Sequence, residues 1–165
     1  AQPIIESIAE IPGRLQWIQK EPFGVVVDYA HTPESLEAVY ATLRPNAKNL
    51  IAVLGAAGGG RDTWKRPKFG ALAEKYCDNI ILTNEDPYDE NPKRILDDVA
   101  EGISESGRTK TKRIMDRREA IAQALTDAKK GDIVIITGKG SETSIALAGG
   151  RKIPWSDADV VRSLL

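Results

Sequence analysis

Leu50-Ile51-Ala52-Val53-Leu54-Gly55-Ala56-Ala57-Gly58-Gly59-Gly60 decides how the chain folds. Five apolar residues in a row, then a switch to small ones, predict a short strand buried on both faces, followed by a loop whose backbone can approach a ligand closely. Three further apolar runs bounded by turn residues read the same way: Val25 to Val27, Ile80 to Leu82 and Ile133 to Ile136. Between them lie stretches with helical spacing, such as Leu36, Val39, Tyr40 and Leu43, or Ile95, Val99 and Ile103. Strand and helix alternate, which predicts an α/β fold: a three-layer, open, mostly parallel sheet with helices on both faces, whose ligands gather beyond the carboxyl ends of the strands.

Helix starts are marked at Thr32-Pro33-Glu34, Arg66-Pro67 and Asn91-Pro92, each placing a proline at the first turn. Arg117 to Lys129 and Asp157 to Leu164 read as two more helices. Residues Ala1 to Ile11 read as a short helix that ends at Pro12-Gly13-Arg14 and as a remnant of a preceding domain or linker, leaving 12–165 as one domain.

At 165 residues the chain is long enough to bury a core without disulfides or metal. Its 23 basic and 24 acidic residues nearly cancel, so no overall field draws it to nucleic acid or anionic membranes. No apolar run approaches the ~20 residues that cross a bilayer. The single cysteine, Cys77, lies near Ile80 and Ile81 and reads as a buried thiol in a reducing compartment, which favours the cytoplasm.

Four loops follow the four strands, and each holds residues that packing does not require. The first, Asp28-Tyr29-Ala30-His31-Thr32-Pro33, sets a carboxylate and the one histidine before a helix amino terminus, where a nucleotide can dock; equally, Asp28 can cap the turn and His31 can sit in solvent. In the second, Gly55 to Asp62 brings small residues and Arg61, with Lys65 and Arg66 nearby to neutralise carboxylate or phosphate. The third, Thr83 to Glu90, is acidic and suits a cationic group, or is a solvated turn. The fourth, Thr137-Gly138-Lys139-Gly140-Ser141-Glu142, offers Glu142 to an ammonium or as a helix cap. Neither glycine loop has the order of a P-loop, and zinc clusters, nucleophile elbows and a dinucleotide fingerprint after the first strand are all missing from the sequence.

Taken in order, these loops resemble the carboxy-terminal, Rossmann-like domain of the Mur ligases, most closely the E-type enzymes that add the third amino acid to UDP-N-acetylmuramoyl dipeptide in peptidoglycan synthesis. The resemblance rests on Asp28 to Pro33 and on Pro12-Gly13-Arg14-Leu15, which is similar to the junction between that family's last two domains. It implies an amide-forming ligase that uses ATP with Mg2+ to make an acyl-phosphate, which the incoming amino group attacks. It further implies that Asp28 and His31 approach ATP, that Arg61 grips the incoming amino acid, and that Gly138 and Glu142 hold its far end. Phosphate loop, metal ligands and UDP-sugar site are implied to lie in amino-terminal and central domains outside this chain, so that the domain alone shows little turnover.

The third loop departs from the family. Diaminopimelate-adding members carry Asp-Asn-Pro-Arg where this chain has Glu85-Asp86-Pro87-Tyr88, so a carboxylate replaces an amide and Tyr88 replaces the arginine for the distal carboxylate. With Asp86 and Glu142 left to meet an ammonium, lysine or another diamine is expected in place of diaminopimelate. Ser141 stands where the family has histidine, and Gly60 where it has aspartate. Two other readings compete: a free-standing amino-acid or nucleotide binding module, and a domain of a folylpolyglutamate- or cyanophycin-type ligase.

Overall fold

The computed structural model describes residues 11–165. The expected remnant in residues 1–11 therefore lies outside the described residues, Ile11 excepted.

The four apolar runs form strands β2 (Gly24–Asp28), β3 (Leu50–Leu54), β4 (Asn79–Leu82) and β6 (Ile133–Thr137). Two strands escape the apolar signal, β1 (Gln16–Gln19) and β5 (Thr111–Arg113), and they are the two edges of the six-stranded sheet, whose order is β1-β2-β6-β3-β4-β5. The pairs β2–β6, β6–β3, β3–β4 and β4–β5 are parallel, while β1 runs antiparallel against β2. Edge strands need only one apolar face and tolerate charge, which is why Thr111-Lys112-Arg113 does not look like a strand.

Helices α1 (Pro33–Leu43), α2 (Lys65–Tyr76) and α3 (Pro92–Ala100) cover one face of the sheet. A one-turn helix, α4 (Glu105–Arg108), precedes β5. Helices α5 (Arg117–Asp127) and α6 (Asp157–Leu164) cover the other face, and a hairpin of β7 (Ser144–Ala146) and β8 (Lys152–Pro154) forms a separate two-stranded sheet. Alternate residues of one strand serve the two cores: Val26 packs with Leu36, Tyr40 and Phe69, whereas Val25 and Val27 pack with Ile121 and Val161. Strands so covered must be apolar at every position, and each buried Val, Leu or Ile adds roughly 1.5 to 3 kcal/mol.

Thr32 caps α1 by accepting from Ser35 N, while the Ser35 hydroxyl answers to the Thr32 backbone; Asn91 caps α3 in the same manner through Lys93 N. Cys77 is buried, and burial pushes its thiol up. No described helix is long and apolar enough to cross a membrane.

Candidate functional site

Every parallel strand points its carboxyl end the same way, so the four loops meet at one edge of the sheet. A cavity of about 550 Å³ opens there, beyond the ends of β3 and β4. Its walls come from the start of α1 (His31), the glycine loop (Arg61), the start of α2 and the third loop (Glu85, Tyr88, Asp89).

The glycine loop lies against the third loop. Gly58 N donates to Asp86 O at 2.7 Å, and a Cβ on Gly58 would stand 2.1 Å from Pro87 O, so only glycine permits this approach. Gly60 N donates to Glu90 Oε2, and the Tyr88 ring lies beside Gly59. Tyr88 holds this place with a left-handed backbone, φ 51°, uncommon for a bulky residue and tied by its amide to Ala146 O.

Of the three basic side chains expected near this loop, two are engaged elsewhere. Arg66 is buried and makes paired bonds to Glu90 at 2.7 and 2.8 Å, with a third to Asp98 at 2.8 Å. In return the Arg66 guanidinium pulls the Glu90 carboxyl down to about 2. Lys65 pairs with Asp62. Arg61 lines the cavity and among the described residues has no ion pair, which leaves it as the cavity's available cation. Glu85, which lines the same cavity, is 6% exposed and among the described residues has no hydrogen-bond partner. Burial pushes its carboxyl up to about 7, against the pull of Arg117 and Lys139. A group so placed has a raised affinity for a proton or for a ligand that donates hydrogen bonds.

Several expected site residues are occupied internally. Asp28 is buried, and its two oxygens accept from Ala30 N at 2.7 Å and Leu15 N at 2.8 Å, which is the turn-capping alternative and keeps the carboxylate out of the cavity wall. Asp86 accepts two bonds from Lys139 Nζ and one from Ala146 N. Glu142 accepts from the same ammonium and stands outside the cavity wall. Gly138, with φ +107°, leaves room for Glu85: a Cβ there would meet Glu85 Oε2 at 2.3 Å. Asp86 and Glu142 therefore do not await the ammonium of a lysine ligand, because Lys139 already supplies one. His31 is exposed at the cavity rim, its ring 4.5 Å from that of Tyr29.

Sequence reading missed the residue that holds the loop ends together. Arg117, buried at the start of α5, makes paired bonds of 2.8 Å to Asp157 and donates to Asn84 O and Thr137 O, just after β4 and at the end of β6. Trp155 Nε1 also donates to Asp157. Among the described residues no group of three His, Cys, Asp or Glu side chains converges to hold a metal ion.

Residues 13–140 match the family model described as "Mur ligase, glutamate ligase domain". A UDP-N-acetylmuramoyl-L-alanyl-D-glutamate--2,6-diaminopimelate ligase of Aquifex aeolicus is 47% identical over 94% of this chain and 32% of its own length. A UDP-N-acetylmuramyl-tripeptide synthetase of Deinococcus radiodurans is 40% identical over 98% of this chain and 33% of its own. A solved structure of a UDP-N-acetylmuramoyl-L-alanyl-D-glutamate--2,6-diaminopimelate ligase superposes with a TM-score of 0.86 at 39% identity, over 95% of this chain and 32% of that one. The folylpolyglutamate synthase of Mycobacterium tuberculosis, at 23% identity and a TM-score of 0.59, shares the fold. The chain spans about a third of the curated relatives it matches.

Proposed function

The chain belongs to the Mur ligases, as the glutamate ligase domain of that family, and from that premise we propose that it delivers the incoming amino acid in an ATP-dependent ligase that extends UDP-N-acetylmuramoyl-L-alanyl-D-glutamate by one residue. The observation that carries this reading is one cavity lined both by the Arg61 guanidinium, which has no ion pair among the described residues, and by the buried Glu85 carboxyl. A zwitterion fits such a pair: Arg61 takes the carboxylate in a forked, charge-assisted contact, and Glu85 accepts from an ammonium.

ATP with Mg2+ supplies the phosphoryl group that activates the peptide carboxylate, in domains outside this chain. What the chain itself contributes toward the nucleotide is the exposed His31 edge beside Tyr29; Asp28 acts indirectly, by fixing the turn that carries His31. Closure of this domain on the central one then excludes water from the activated carboxyl and presents the amine to it. In isolation the domain turns over little.

The amino acid is a diamino acid. Diaminopimelate is the one named in the Aquifex aeolicus relative. Lysine rests only on Tyr88 standing where the family's arginine would read a second carboxylate. The test is direct: full-length enzyme, ATP and UDP-N-acetylmuramoyl-L-alanyl-D-glutamate are supplied with diaminopimelate or lysine, and the nucleotide product is weighed by mass spectrometry. Product one residue heavier, with stoichiometric ADP, is expected. ADP release with a folate or polyamino-acid acceptor and none with the muramoyl peptide would transfer the chain to the related ligases.

A further inference from the structure

Lys139 sits at the meeting point of three segments. Its ammonium, on a side chain 1% exposed, donates to both oxygens of Asp86 at 2.7 and 2.8 Å and to Glu142 Oε2 at 2.5 Å. Burial disfavours the charged ammonium, but the bonds to Asp86 and Glu142 more than offset this and hold Lys139 above the ordinary lysine range. Each arm of this clamp leads to a part of the site. The Asp86 side chain also accepts from Ala146 N, at the end of β7, and the Asp86 carbonyl accepts from Gly58 N, three residues before Arg61. On the other arm, Glu142 Oε2 is held by Lys139, and the Glu142 side chain also faces the Tyr29 hydroxyl, beside His31.

We propose that Lys139 is a positioning residue for the amino-acid site, fixing the height of the Arg61 loop through one buried ammonium that holds Asp86. The inference rests on the reading of the site given above. A loop that must be ordered each time a ligand binds costs conformational entropy, and a clamp that holds it removes that cost beforehand. Without the ammonium, Asp86 and Glu142 repel each other, the third loop lifts, and Gly58 and Arg61 move with it.

The test is steady-state kinetics of the full-length ligase with Lys139→Met, Arg61→Ala and the double variant, alongside thermal unfolding. Lys139→Met is expected to raise the KM for the amino acid by about tenfold or more while the KM for ATP stays within about twofold. The double variant is expected to lose less than the product of the two single effects, because Lys139 acts through Arg61. Should Lys139→Met fail to fold, Lys139→Arg keeps a cation for Asp86 but changes its reach, and a rise in amino-acid KM in the same direction is expected of it. Unchanged amino-acid KM in a folded variant, or fully multiplicative effects, overturns the inference alone. An unmodified enzyme that ligates no amino acid overturns the reading of the site, and this inference with it.

Discussion

Lys139 and Asp86, 53 positions apart in the chain, form a buried ion pair in which one ammonium meets both carboxylate oxygens at 2.7 and 2.8 Å. The pair closes the third loop onto the fourth and turns a carboxylate that looks available in sequence into part of the scaffold.

Breaking the pair from the acidic side leaves a buried cation with only Glu142. Asp86→Ala is therefore expected to destabilise the protein by about 3 kcal/mol, and Asp86→Asn, which keeps an acceptor for Ala146 N, by less. Urea unfolding of both variants checks the order.

Arg117 and Asp157 have side chains 1% and 0% exposed. Arg117→Met strands the Asp157 carboxylate and frees the carbonyls of Asn84 and Thr137, for an expected loss of about 3 kcal/mol. Replacing both, as Arg117→Met with Asp157→Leu, is expected to recover part of it, since the Asn84 and Thr137 carbonyls and the Trp155 indole still lack their partners. Trp155, whose indole donates to Asp157, gives a fluorescence signal that should shift in the single variant before global unfolding.

Glu85 predicts a pH dependence. Its carboxyl is raised from the ordinary 4.5 to about 7, first by burial, with Arg117 and Lys139 pulling down and Asp86 and Asp157 pushing up. Between those values the unfolded chain has lost the proton while the folded one keeps it, so the contribution to stability is present in acid and is lost as the pH rises through 7. Glu85→Gln is expected to exceed the unmodified protein in stability at about pH 8, by on the order of 3 kcal/mol, and to show no such gain at about pH 4. Denaturant titrations at both pH values decide it; equal effects would place the cost of Glu85 elsewhere.

The central fold was legible because buried parallel strands need apolar residues on both faces, and Leu50 to Leu54 or Ile133 to Ile136 have no other reading at that length. Thr32 and Asn91 announced their helices because a cap needs a short polar side chain at one position. The edges were not legible: Thr111-Lys112-Arg113 and β8 meet solvent, and β7, buried at Ile145 and Ala146, is too short to show a pattern. For the site, glycines after strands located the loops, and Arg61, Glu85 and His31 do meet at the cavity. Which charges stay free was hidden, since the partners of Asp86, Arg66 and Arg117 lie 53, 24 and 40 positions away. Only the folded chain reveals that Lys139 takes the two carboxylates that seemed to await a ligand.

Arg61 is the cation on which recognition of the amino acid depends, and its role is read from the KM for the amino acid in full-length ligase carrying Arg61→Ala. Loss of one forked, charge-assisted contact predicts a rise of roughly 10- to 100-fold, with the KM for ATP within about twofold and the folded state unchanged. An amino-acid KM equal to that of the unmodified enzyme would contradict the assignment and move the amino acid out of this cavity.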